Sequence, residues 1–120
     1  MIASFFALSL HAYYTALETA CERVARHFDG GVPTGERRHQ DLLDSMGLDL
    51  PGIRPRVFSE RTLEGLRELL GFRHFVRHAY AIAWRLDRLA ALTDLALALH
   101  DEVARELEEL LAFIDALTSA

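Results

Sequence analysis

The last third of the chain carries a long apolar repeat at helical spacing. From about Asp87 to Leu117, apolar residues recur every three or four positions, and acidic residues occupy much of the opposite face. The repeat consists of Leu89, Leu92, Ala96, Leu99, Val103, Leu107, Leu110, Ile114 and Leu117. A pattern sustained over that length predicts one long amphipathic helix, which needs other helices to cover its apolar stripe.

The rest of the chain divides into three further helical segments. A first helix is predicted from about Ile2 to Phe28, ended by two glycines. A short second helix follows with Thr34 as its N-cap, and a third begins after the N-cap Ser59, with Gly71 either tolerated within it or bending it locally. Two prolines and two glycines predict a loop between the second and third helices. We therefore expect a single all-α domain over residues 1–120, an up-and-down bundle of four to five helices.

Composition narrows the class of protein. The net charge is −5, which argues against a general nucleic-acid coat protein, and every fixed side-chain cation is an arginine. Cys21 is the single cysteine, so the chain forms no internal disulfide and no thiolate metal cluster, and a reducing cytoplasm is its expected location. The apolar start lacks basic flanking residues and is interrupted by polar ones, which predicts neither a signal peptide nor a membrane span.

One short segment is basic within this acidic chain. Residues 65–88 hold five arginines and two acids, whereas residues 89–120 hold one arginine and seven acids. The basic stretch contains "GFRHFVRHAYAIAW", and on a helix its polar side chains share one front, in the order Tyr80, Arg73, Arg77, His74, His78. A neutral imidazole beside a guanidinium pairs a base with an anion-binding group, which suits chemistry on a phosphodiester. A solvated helix face, with histidines filling gaps, is an equally weighted alternative from the residues alone.

Other candidate sites are weaker. "GGVPTGER" superficially resembles a phosphate-binding loop, but Glu36 stands where a lysine is needed and no strand precedes it, so a connection between helices is the better interpretation. The remaining histidines lack a partner at metal-ligand spacing, and no metal site is predicted for His11, His27, His39 or His100. The acids of the last helix predict a solvated face or a dimer rim rather than paired catalytic carboxylates: Glu102, Glu106 and Glu109.

The basic segment also contains the pattern R-x4-H-x-Y, formed by Arg73, His78 and Tyr80. This pattern resembles the signature of HEPN domains, and in particular that of the HepT-like toxins of MNT–HEPN toxin–antitoxin systems. His74 fits the family's habit of placing a polar residue directly after the arginine. Further segments extend the resemblance over roughly Ala7 to Leu117: "YTALETACERVARHFDGGVPTGERRHQDLLDSM", "RPRVFS" and "FRHFVRHAY".

The resemblance implies a fold and an activity. HEPN domains are helical bundles that usually dimerise with their motif helices facing each other, so that two motifs line one cleft. The implied activity is a metal-independent endoribonuclease without a cofactor. His78 would act as acid or base on the ribose 2′-OH or the leaving oxygen, and Arg73 would hold the scissile phosphate. His74 and Arg77 would support these two residues.

The resemblance also implies a partner. In such systems a nucleotidyltransferase antitoxin transfers AMP to the motif tyrosine, here Tyr80, and so blocks the cleft. The alternative is a non-catalytic HEPN module that binds nucleotide or RNA, or that regulates a nucleotidyltransferase; a third hypothesis is a catalytically silent helical dimerisation domain. The intact motif of Arg73, His78 and Tyr80 favours the toxin hypothesis over the non-catalytic module. The chain departs from related proteins in one respect, because these commonly carry a further helical segment before "YTALE".

Overall fold

Four helices make up most of the described chain. The computed structural model describes residues 2–78 and 86–119, with side-chain environments over residues 9–72 and 88–118. The helices are α1 (Ile2–Phe28), α2 (Arg38–Ser45), α3 (Glu60–His78) and α4 (Leu86–Ser119). Within the described ranges, the β structure consists of one isolated bridge between Leu50 and Arg54. The predicted all-α bundle is confirmed.

The core forms where α1, α3 and α4 pack against one another, and α2 packs on α1 and α3. The stripe predicted on α4 is buried at Leu89, Leu92, Ala96, Leu99, Val103 and Leu110, and partly buried at Leu107 and Ile114. Leu117 is the exception, because its side chain is 53% exposed. The apolar pattern therefore continues in the sequence beyond the part of α4 that the bundle covers.

The connection between α1 and α2 shows one prediction confirmed and one wrong. α1 ends at Phe28 as expected, and Gly30 adopts a left-handed φ of 85°. Thr34 is not the N-cap of α2, because that helix begins at Arg38 and Arg37 occupies the cap position without a side-chain cap bond. Gly35 has a φ of 102°, which a right-handed helix cannot contain, so α2 can begin only after it.

The start of α3 matches its prediction. The backbone N–H of Thr62 donates to the Ser59 hydroxyl at 3.3 Å, so Ser59 is the N-cap. Phe58 and Leu63, on either side of the cap, are both buried in the core, as expected for a hydrophobic staple. α3 then continues through Gly71 without interruption.

An acid from α4 completes this helix start. Glu106 is buried, and its Oε1 accepts hydrogen bonds from the Ser59 N–H and the Thr62 hydroxyl, both at 3.1 Å. The prediction of a solvated face is therefore wrong for Glu106, because a helix N-terminus attracts a carboxylate with its unpaired N–H groups. Its neighbours Glu102 and Glu109 do lie at the surface, each paired with Arg105 at 2.8 Å.

The loop between α2 and α3 contains a buried arginine. Arg54 is 2% exposed, and its guanidinium binds both carboxylate oxygens of Asp29 at 2.7 Å. It also donates to three backbone carbonyls, those of Ser45, Leu48 and Pro55. We call Arg54 with Asp29 the Arg54 clamp. It ties the loop to the C-terminal ends of α1 and α2, a role that the sequence analysis did not identify.

Candidate functional site

The predicted motif lies on the C-terminal half of α3. The helix backbone is continuous to His78, so the motif positions up to that residue all lie on one helix, as expected. These positions are Arg73, His74, Arg77 and His78. Their side chains lie outside the described residues, as does the whole of Tyr80. The register of the helix nevertheless orders the motif relative to residues that are described.

Helical register relates the motif positions to the described part of α3. At about 100° per residue, His74 and His78 fall within roughly 20° of Arg67, and Gly71 falls within roughly 40° of it. Arg73 lies roughly 120° around the helix from the same reference. The two motif histidines therefore continue the stripe that begins with Arg67 and Gly71.

That stripe borders an open groove between the start of α2 and α3, which we call the α2–α3 groove. Its volume is about 540 Å³, within the range of sites that hold small molecules. Its walls come from two short stretches of chain. The lining residues are Glu36, Arg37, His39, Gln40 and Asp44 on one side, and Arg67, Leu70 and Gly71 on the other.

The two arginines of the α2–α3 groove differ in their surroundings. Arg67 binds Glu60 at 2.8 Å and Asp44 at 3.0 Å, and these two hydrogen bonds raise the pKa of its guanidinium above the ordinary value. Arg37 is exposed, and its guanidinium forms no hydrogen bond or ion pair with another described residue. Arg67 is thus neutralised within the protein, whereas Arg37 is available to an anion.

His39 is held by a carboxylate from another helix. Its Nδ1 lies 2.9 Å and 3.0 Å from the two carboxylate oxygens of Glu18 on α1, in a half-buried position. The contact fixes the imidazole on the wall of the groove and occupies one ring nitrogen. From the sequence, His39 is a lone histidine, because the 21 residues that separate it from Glu18 conceal the pair.

Cys21 is a poor candidate for chemistry. Its side chain is buried, and burial, with the nearby Glu18 and Glu22 charges, raises the pKa of the thiol to about 12. A thiol in that state is not a nucleophile at neutral pH.

Among the residues whose side chains the structure describes, three or more potential metal-binding side chains do not come together at any point. No helix within residues 2–78 and 86–119 is both long enough and apolar enough to cross a membrane.

The comparisons with known proteins decide the family. A family model described as HepT-like protein matches residues 5–114, which include parts of all four helices and the whole R-x4-H-x-Y motif. The chain belongs to the HepT-like family. This confirms the resemblance drawn from Arg73, His78 and Tyr80 together with their flanking segments. No curated protein and no solved structure matched the chain.

In this HepT-like chain the two principal motif residues lie toward opposite edges of the polar front that the sequence predicts. Arg73 and His78 are five positions apart, which corresponds to roughly 140° around α3 and roughly 7.5 Å along it.

Proposed function

We propose that this HepT-like protein is a cytoplasmic, metal-independent endoribonuclease that acts as the toxin of a toxin–antitoxin pair. The observation that carries the proposal is the intact R-x4-H-x-Y motif, which lies within the family match and whose Arg73 and His78 occupy a continuous helix. We further propose that residues 1–120 act as one domain. The basic segment 65–88 supplies positive charge locally although the chain as a whole is acidic.

The proposed reaction is cleavage of RNA by its own 2′-OH. His78 accepts the 2′-OH proton or donates one to the leaving 5′-oxygen, as the 2′-oxygen forms its bond to phosphorus and the P–O5′ bond breaks. Arg73 binds two phosphate oxygens and stabilises the charge that develops on them. His74 and Arg77 orient these groups. RNA is the substrate because DNA lacks the 2′-OH nucleophile.

We propose that the active form is a homodimer in which two copies of α3 face each other. The wide angle between Arg73 and His78 on one helix supports this arrangement. In a shared cleft, the arginine face of one copy lies opposite the histidine face of its partner. Both residues then approach the same phosphate without either helix bending.

We propose that a nucleotidyltransferase antitoxin inactivates the protein by transferring AMP to Tyr80. On the helical register predicted from the sequence, Tyr80 follows the same stripe as Arg73. A nucleotide attached there carries a phosphate that competes with RNA for the arginine. Modification would therefore prevent substrate binding as well as block the cleft.

Cleavage by the purified protein tests the catalytic proposal. With EDTA present, the wild type should cleave RNA, and His78→Ala should cleave about 10²- to 10⁴-fold more slowly, since that range is typical for loss of general acid–base catalysis. Arg73→Ala should also lose activity. Arg105→Ala is the matched control, because Arg105 pairs with Glu102 and Glu109 on α4. Equal cleavage by all four proteins would contradict the proposal.

Intact-mass analysis after co-expression with the antitoxin tests the modification. The wild type should gain the mass of AMP, and Tyr80→Phe should not. An added mass that persists in Tyr80→Phe would remove Tyr80 from the proposal.

The alternative function is a non-catalytic module that binds nucleotide or RNA or regulates a nucleotidyltransferase. The open α2–α3 groove favours this alternative, which predicts RNA binding without cleavage.

A further inference from the structure

Gly71 has no explanation within the packing of the described chain. Glycine in a helix interior is less stable than alanine, so a structural reason is usually present. Gly65, on the same helix, has one, because an added Cβ would lie 2.5 Å from a methyl carbon of Leu99. A Cβ at Gly71 would have no described atom within 4 Å, and the residue does not adopt a left-handed conformation.

The position of Gly71 relates this open space to the motif. Gly71 lines the α2–α3 groove and lies three residues before His74. On the helical register, His74 and His78 continue the stripe of Arg67 and Gly71. An RNA strand that runs from the motif along this side of α3 therefore reaches the groove. A missing side chain at that point lets a ligand approach the helix backbone closely.

The opposite wall of the groove supplies a free cation. The Arg67 guanidinium is more than offset by two carboxylates, those of Asp44 and Glu60. Arg37 is therefore the cation of the groove wall that no described carboxylate pairs, and Glu36 lies next to it. Arg37 has the planar donor geometry that fits phosphate oxygens. Gln40 and the imidazole that Glu18 holds add groups that hydrogen-bond to ribose hydroxyls or base edges.

We propose that the α2–α3 groove binds the single-stranded RNA on one side of the scissile phosphate. Arg37 contacts a backbone phosphate, and Gly71 allows the strand to pass close to α3 on its way from the motif. The inference rests on the proposed ribonuclease function of Arg73 and His78, and it adds the binding site for the neighbouring nucleotides. Glu36, at the groove wall, opposes the strand and limits its affinity.

Binding of an uncleavable RNA tests the groove separately from catalysis. The probe is a fluorescein-labelled single-stranded oligoribonucleotide with 2′-O-methyl groups throughout, which lacks the nucleophile, and the readout is fluorescence anisotropy with the full chain. Arg37→Gln should weaken binding about fivefold, the upper range for one exposed charge pair. It should also reduce the slope of log K against log salt by about 0.7, the value for one phosphate contact on a single strand.

Two neighbouring variants provide a charge-matched comparison. Arg38→Gln removes the same charge as Arg37→Gln, but Arg38 donates to the Gly35 carbonyl at 3.3 Å and is not among the groove-lining residues, so binding should be unchanged. Glu36→Gln should tighten binding about twofold, because it removes an opposing charge from the groove. Binding of the probe should thus be weakened by Arg37→Gln, tightened by Glu36→Gln and unchanged by Arg38→Gln.

The outcomes separate the groove from the ribonuclease proposal. If Arg37→Gln and Arg38→Gln bind the probe equally, or if Arg37→Gln weakens binding of an antitoxin but not of RNA, the groove proposal is overturned. If natural RNA is not cleaved by the wild type but the probe binds in an Arg37-dependent manner, the ribonuclease proposal fails and the groove stands. If RNA is cleaved and Arg37→Gln and Glu36→Gln both bind and cleave like the wild type, the groove alone is overturned.

Discussion

The two ends of α2 are built in contrasting ways. At the C-terminal end, the Ser45 carbonyl is one of five hydrogen-bond acceptors around the buried guanidinium of Arg54. At the N-terminal end, Arg37 occupies the cap position without capping the helix, and its exposed guanidinium has no described partner. The Arg54 guanidinium is hydrogen-bonded within the protein, whereas the Arg37 guanidinium lies at the edge of the open α2–α3 groove.

The difference shows how to separate a structural arginine from one available to a ligand. Arg54 and Arg37 occur in similar local sequences, "IRPR" and "GERR", each with a second arginine nearby. Their partners distinguish them, because a guanidinium whose donors are all satisfied inside the protein has none left to bind phosphate. The same criterion separates Arg67, which two carboxylates neutralise, from Arg37 across the groove.

Arg54→Ala should have the largest effect on stability. The substitution leaves the Asp29 carboxylate and three backbone carbonyls without their donor, and removal of one partner from a buried ion pair typically costs about 3–5 kcal/mol. Urea denaturation followed by circular dichroism would measure the change. Arg56→Ala is the matched control, because Arg56 is exposed and makes a single bond to the Gly47 carbonyl. Similar losses in both variants would remove the distinction between the arginines.

Alanine at the two glycines of α3 should act with opposite signs. Gly65→Ala places a methyl group against the Leu99 side chain, and an overpacking cost of about 1–3 kcal/mol, less a helix-propensity gain of about 1 kcal/mol, should lower the free energy of unfolding by up to about 2 kcal/mol. Gly71→Ala enters open space and should raise it by up to about 1 kcal/mol, through helix propensity. If Gly71 serves the groove, the more stable variant should bind the uncleavable RNA less tightly. A destabilised Gly71→Ala would show that the space is filled in the native protein.

The buried thiol of Cys21, on α1, should make the free energy of unfolding depend on pH. In the folded protein, the pKa of the thiol is raised from 9.0 to about 12. The contribution of the neutral thiol to the free energy of unfolding is therefore fully present below pH 9 and is lost as the pH rises toward 12. Over that window, the difference in unfolding free energy between wild type and Cys21→Ala should shrink by at most about 1.4 kcal/mol per pH unit. Denaturation at a series of pH values measures it, and a constant difference would contradict the burial of the thiol.

Arg37→Gln should have the smallest effect on stability. Since Arg37 has no described partner and does not cap α2, the free energy of unfolding should change by less than about 0.5 kcal/mol. The same denaturation assay would detect a larger loss, which would mean that the guanidinium holds part of the fold. The contrast with Arg54→Ala is then a direct comparison of the two ends of α2.

Sequence alone determined the features that depend on local pattern. The helical period of α4 and the Ser59 cap were predicted, because periodicity and capping involve residues a few positions apart. Family membership followed from the motif of Arg73, His78 and Tyr80 with its flanking segments. The exception was the start of α2, where the backbone conformation of Gly35 overrode the cap expected at Thr34.

Tertiary structure decided which polar residues meet. Arg54 and Asp29 are 25 residues apart, His39 and Glu18 are 21 apart, and Glu106 reaches across 47 residues to the Ser59 N–H. Each pair depends on how two elements are rotated against each other, and side-chain packing across the whole core sets that rotation. The α2–α3 groove arises in the same way, as space that remains once the buried faces of the helices have met. No local pattern contains that information.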